Sequence, residues 1–75
     1  MRPVFTVVRW REGYQIDEVD AFLDDIEPRV ARGAASGLVD EILHVTFGPV
    51  RIKRGYDMDE VDHYLDALAV QARGT

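Results

Sequence analysis

The stretch KRGYDMDEVDHYLD, Lys53–Asp66, has a blurred copy in WREGYQIDEVDAFLD, Trp10–Asp24. Laying Phe5 on Phe47, an offset of 42, makes 11 of the 22 positions from Phe5 to Ile26 identical. The matches include Phe5/Phe47, Val8/Val50, Arg9/Arg51, Gly13/Gly55, Tyr14/Tyr56, Asp17/Asp59, Glu18/Glu60, Val19/Val61 and Leu23/Leu65. A period of this size marks one supersecondary unit, whose apolar face needs a neighbour to cover it. The fold therefore turns on how two copies of one unit meet.

Each unit reads in three parts. An apolar, β-rich run, Val4 to Trp10 or Thr46 to Ile52, leads into a basic turn closed by Gly13 or Gly55, and an acidic amphipathic helix follows. Asp57 is suited to cap the second helix, with Glu60 three residues on completing a capping box. Met58, Val61, Leu65 and Leu68 recur at helical spacing, and Tyr64 widens the stripe. The first helix carries Ile16, Val19, Phe22, Leu23, Ile26 and Val30, with Gln15 standing where the other unit has Asp57. Pro28 predicts that this helix stops near Ile26, or that a second short helix restarts over Pro28 to Arg32. Arg32 to Gly37 reads as a linker. Ser36 is the expected cap of a short helix from Gly37 to His44, with Leu38, Ile42 and Leu43 on one side.

These parts predict a single domain, 1–75, made of a first unit, 5–31, and a second, 37–72. The expected class is mainly α: two repeats of extended segment, glycine turn and amphipathic helix, plus a short linker helix, packed as a pseudo-dimer or as a homo-oligomer. Val19, Phe22, Leu23, Ile26, Val61, Tyr64, Leu65 and Leu68 form the expected core or association face, because helices this short are marginal alone. Gly13, Tyr14, Gly55, Tyr56, Asp57 and Glu60 are read as turn and cap chemistry. The residues leave open whether the two apolar runs pair as strands.

Composition excludes several classes of function. A chain of 75 residues buries only about 60% of its unfolded surface, so association is a common supplement. With 47% hydrophobic and 31% charged residues it is not disordered in composition. There is no cysteine, hence no disulfide and no thiolate metal site. The net charge of −5 argues against non-specific nucleic-acid binding. The opening MRPVFTVVRW is too short for a secretory signal or a span, and the cytoplasm is the expected location.

The second unit, Phe47 followed by RGYDMDEVDHYLD from Arg54 to Asp66, resembles the N-terminal module of DivIVA-type proteins, whose wording is a phenylalanine, a short loop and RGYDxxEVDxFLD. Leu38 and Ile42 resemble the short helix that opens that module. The first unit resembles it over Phe5 to Ile26, with Glu12 and Gln15 in place of the usual arginine and aspartate. The resemblance implies a non-enzymatic role in cell division or polar growth, with self-association through a coiled coil. It also implies a loop that presents apolar and basic residues to the inner face of the membrane. Partners would be this chain itself or a DivIVA-like protein, with no nucleic acid and no small-molecule substrate. The chain departs from the pattern at Lys53 and Arg11, where that family has an apolar residue; Ile52 and Trp10 lie one position earlier.

Arg51, Lys53 and Arg54 in one turn, and Arg9 and Arg11 beside Trp10 in the other, are the expected contact residues, together with Ile52. Tryptophan favours the membrane interface and basic residues favour anionic lipid. Pairing with neighbouring helix carboxylates, or contact with a protein partner, would use the same cations. The alternative reading is a soluble adaptor that binds a partner's helices and never touches lipid. No cofactor or metal is expected: Asp57-x-Asp59 lacks the glycine and glutamate of a calcium loop, and His44 and His63 have no ligand spacing. Nor is there a nucleophile–base grouping or a phosphate loop, so no catalytic residue is assigned.

Overall fold

A computed structural model describes residues 2–33 and 37–74. Three helices follow from the periodic stretches: α1 (Ile16–Ala31), α2 (Leu38–His44) and α3 (Met58–Gly74). Asp57 caps α3 by accepting the Glu60 amide on Oδ1 at 3.0 Å. The Glu60 carboxylate does not close the capping box. It accepts the Thr6 amide on Oε1 and the Thr6 hydroxyl on Oε2, each at 2.7 Å, while the Asp57 amide donates to the Thr6 carbonyl at 2.9 Å. The helix start thus holds a segment 54 residues away in sequence.

Helix α1 runs through Pro28 to Ala31, which corrects the expected stop near Ile26. Proline removes one ladder bond to the carbonyl four residues back. Here Pro28 and Asp24 both lie on the exposed side, where water can take that bond, and buried Val30 draws the last turn onto the core. The expected Ser36 cap of α2 lies outside the described residues.

Four two-residue strands link the units: β1 (Val7–Val8), β2 (Gly13–Tyr14), β3 (Pro49–Val50) and β4 (Gly55–Tyr56). They form one antiparallel sheet in the order β1-β4-β2-β3. Val7 faces Tyr56 and Val8 faces Gly55, while Gly13 faces Val50 and Tyr14 faces Pro49. Tyr14 and Tyr56 then pair with each other in the middle. Adding 42 to the first-unit residue of each β1–β4 pair and subtracting 42 from its second-unit partner returns the β2–β3 pairs, so an approximate twofold axis relates the units and passes between the two tyrosines.

The expected mainly-α class, two repeats of extended segment, glycine turn and helix, is therefore corrected to an α/β fold with a four-stranded antiparallel sheet. Each unit's first strand pairs with the other unit's second strand, and among the described residues neither half has a sheet of its own. The side chains repeat the exchange. Phe5 packs on Tyr56 and Tyr64 of the second unit, at ring separations of 5.2 and 5.7 Å, and Phe47 packs on Tyr14 and Phe22 of the first, at 5.3 and 5.9 Å.

The core lies between the sheet and the helices. Val19, Leu23 and Ile26 of α1, Leu38 and Ile42 of α2, and Val61, Leu65 and Leu68 of α3 are buried together. Phe22 and Tyr64 are half-buried at its margin. Burying a side chain of this kind contributes roughly 1.5–3 kcal/mol, so these eight residues outweigh any surface pair described below. Helix α2 breaks the twofold symmetry by packing mainly along α3, and Arg29 of α1 joins it through Glu41 at 2.6 Å.

Candidate functional site

The exchange sets two loops against each other. Val8 faces Gly55 where residues 9–12 begin and 51–54 end, and Gly13 faces Val50 where 9–12 end and 51–54 begin. An ion pair from Arg51 to Glu12, at 3.6 Å, joins the two loops. One end of the molecule therefore carries Arg9, Trp10 and Arg11 together with Arg51, Ile52, Lys53 and Arg54.

Both apolar side chains at this tip are out in solvent, Trp10 at 76% exposure and Ile52 at 73%. Trp10 is also the only non-glycine residue with positive φ among the described residues, at 68°. A left-handed backbone costs a residue with a Cβ about 1–2 kcal/mol. Here the cost sits under an aromatic ring that contributes little to the core. Backbone strain of this kind gathers at functional positions.

The charges divide sharply. The eight loop residues hold five cations and one anion, +4 in all; the other residues hold four cations and 13 acids, −9, which sum to the chain's −5. Two of the five are partnered: Arg11 with the capping carboxylate of Asp57 at 2.6 Å, and Arg51 with Glu12. Arg9, Lys53 and Arg54 have no carboxylate within 4.0 Å among the described residues.

The Gly-Tyr pairs lie behind the tip, in strands and not in a turn. Neither Gly13 nor Gly55 has a positive φ. Each is required because the two central strands approach too closely for a side chain. A Cβ on Gly13 would lie 2.8 Å from the Tyr56 carbonyl oxygen, and one on Gly55 would lie 2.9 Å from the Tyr14 carbonyl and 2.6 Å from Val50 Cγ2. The tyrosine hydroxyls then reach across the exchange, Tyr14 to Asp62 at 2.7 Å and Tyr56 to Asp20 at 2.8 Å. Burial, reinforced by the bond to Asp62, pushes the Tyr14 phenol up to about 12.

Several residues that hold the fold carry no recognisable signal in the sequence. Thr6 and Gly48 are equivalent positions, and the Gly48 amide donates to Glu18 at 2.6 Å as Thr6 does to Glu60. Arg2 binds Asp24 at 2.7 Å and Glu27 at 2.9 Å along α1. Burial pushes the Glu27 carboxyl up, but hydrogen bonds from Arg2 and Tyr64 prevail and hold it below its ordinary value. The spacing in sequence, 25 residues from Arg2 to Glu27, hides such pairs until the chain is folded.

His44 and His63 are both exposed, and His44 Nδ1 lies 2.9 Å from its own helix's Asp40 carbonyl. Among the described residues no group of three His, Asp or Glu side chains is placed to hold a metal ion, and no helix is long and apolar enough to cross a membrane. No family model matches the chain, and neither a curated protein nor a solved structure does.

Proposed function

We propose that this chain is a non-enzymatic, DivIVA-like interaction module that rests its basic tip on an anionic membrane surface at the cytoplasmic face, in cell division or polar growth. The observation that supports the reading is the tip itself: Arg9, Lys53 and Arg54, without a carboxylate partner among the described residues, arranged around exposed Trp10 and Ile52. At about 1 kcal/mol for each basic residue near an anionic surface, these three cations favour the bound state by roughly 3 kcal/mol, about a hundredfold. The indole adds interfacial affinity. Attachment of this strength is reversible and weakens with salt, because the screening length shrinks from about 10 Å at 0.1 M to about 3 Å at 1 M.

Vesicle flotation tests it. Vesicles rich in phosphatidylglycerol should carry the protein at low salt and release it at high salt, whereas neutral phosphatidylcholine vesicles should not carry it. Trp10→Ala, and Arg51, Lys53 and Arg54 together to alanine, should each reduce the bound fraction severalfold. Equal binding to neutral and anionic vesicles, or none to either, overturns the reading.

A further inference from the structure

The two edge strands of the sheet are equivalent by the pseudo-twofold axis, yet only one is closed to a further strand. The Asp57 amide bonds the Thr6 carbonyl, which makes Thr6/Asp57 and then Val8/Gly55 the hydrogen-bonded pairs of the β1–β4 ladder. Val7, between them, turns its own N–H and C=O away from β4 and off the edge of the sheet. The Gln15 amide bonds the Gly48 carbonyl in the same way, which places Pro49 at the corresponding outward position of β3. Proline has no N–H, and it is a common means of blunting an edge. The β1 edge has no such guard. Val7 is 40% exposed there and Val4, three residues before it, 98% exposed.

We propose that the β1 edge is a docking surface for the β1 edge of a second copy of this chain, the two strands running antiparallel about Val7. The pairing is isologous, each Val7 donating its N–H to the other's carbonyl, and it joins the two sheets into one. In that frame Arg9 of one copy lies opposite Phe5 of the other. Phe5 lines a groove whose walls also include Asp59 and Glu60. Among the described residues Arg9 has no carboxylate within 4.0 Å, so the second copy supplies acidic side chains where this one presents a cation without such a partner. Val4 and Val7 become covered. Pro49 closes the other edge, so assembly stops at the dimer and does not run on into a fibre.

Sedimentation equilibrium in the absence of lipid tests this, which keeps it separate from the vesicle experiment. Wild type should show twice the 8.5 kDa chain mass at high concentration and dissociate on dilution. Val7→Pro reproduces the residue that the equivalent strand already carries, and it removes only the outward N–H. It should weaken the dimer at least about tenfold, the loss of two backbone hydrogen bonds, with an unchanged far-UV spectrum. Pro49→Val should open the second edge and give masses above the dimer. Arg9→Glu, on an exposed loop, should weaken the dimer to a similar degree and decides the matter if Val7→Pro fails to fold. A wild type that stays monomeric throughout, a folded Val7→Pro variant that dimerises normally, a Pro49→Val variant that stops at the dimer, or an Arg9→Glu variant of unchanged affinity overturns the proposal.

Discussion

Replacing Gly13 by alanine tests whether the central strands cross as closely as the exchange requires. The added methyl would sit 2.8 Å from the Tyr56 carbonyl oxygen, 3.0 Å from Val8 Cγ2 and 3.3 Å from the Gly55 carbonyl carbon. Two of these three atoms are backbone, and both belong to the other unit's strand, so relief requires the strands to separate. Overpacking of this kind costs about 1–3 kcal/mol, and a carbonyl that cannot rotate away places Gly13→Ala in the upper part of that range. A domain of this size is stabilised by roughly 4–11 kcal/mol, so the loss is plain in a urea titration followed by far-UV circular dichroism. Gly48→Ala is the control. Its methyl would meet the flexible end of Gln15, with Nε2 at 3.0 Å, which can swing aside. It should cost less than about 0.5 kcal/mol. The reasoning also predicts that Val8→Ala will not rescue Gly13→Ala, because the carbonyl remains. A Gly13→Ala variant within about 0.5 kcal/mol of wild type would refute the close crossing and return this glycine to an ordinary turn.

Further consequences follow from single contacts. Trp10→Gly relieves the left-handed backbone and removes an exposed ring, so it should leave stability within about 1 kcal/mol of wild type while lowering vesicle binding; urea titration and flotation together check both halves. Leu65→Asp places a carboxylate in the core and should abolish the folded spectrum, because an unpaired buried charge costs more than a domain of this size can offset. Tyr14 and Tyr64 are each pushed up to about 12, Tyr64 first by burial and then by its bond to Glu27. Their unfolded phenols ionise near 10, so the associated stability is complete below pH 10 and is lost as pH rises from about 10 to 12. Replacing both by phenylalanine should flatten that decline in a melting-temperature profile. Glu27, held below its ordinary value, contributes stability above that value that is lost on acidification; Arg2→Ala should flatten the acid limb.

The helices were legible because their signal is local. Met58, Val61, Leu65 and Leu68 keep helical spacing, and Asp57 occupies the cap position, so α3 begins where its sequence places it. The sheet was not legible for the opposite reason. Each strand is two residues long, too short for alternation to register, and its partners lie more than 30 residues away. The repeat shows that two like units meet, but not which strand of one pairs with which strand of the other. Nothing local in VVRWREGY reveals that its valines pair with the other copy's Gly-Tyr. Pro28 misled for a related reason: the rule against proline in helices takes no account of an exposed flank that leaves the lost carbonyl in water.

The grouping of the candidate contact residues was half legible. Cation and tryptophan content singled out both loops, but the loops lie 42 residues apart and only the exchange places them at one end of the molecule. Charge pairing could not be read from order alone either. Arg11 meets Asp57 across 46 residues, whereas Lys53 and Arg54, much nearer that carboxylate in sequence, do not pair with it. The Gly-Tyr motif was assigned to a turn because glycine often serves one; its real constraint is a neighbouring backbone that the linear sequence does not show.

The exchange of strands between the two units underlies the sheet, the paired loops and the open edge alike, and it is tested most directly by proton contacts in solution. Val7 and Tyr56, and likewise Tyr14 and Pro49, are non-hydrogen-bonded antiparallel pairs, whose Cα atoms approach to about 4.5 Å. A nuclear Overhauser experiment should show strong Hα–Hα cross-peaks for both pairs. Cross-peaks instead between Val7 and Tyr14, and between Pro49 and Tyr56, would mean that each unit folds as its own hairpin, and would contradict the exchange.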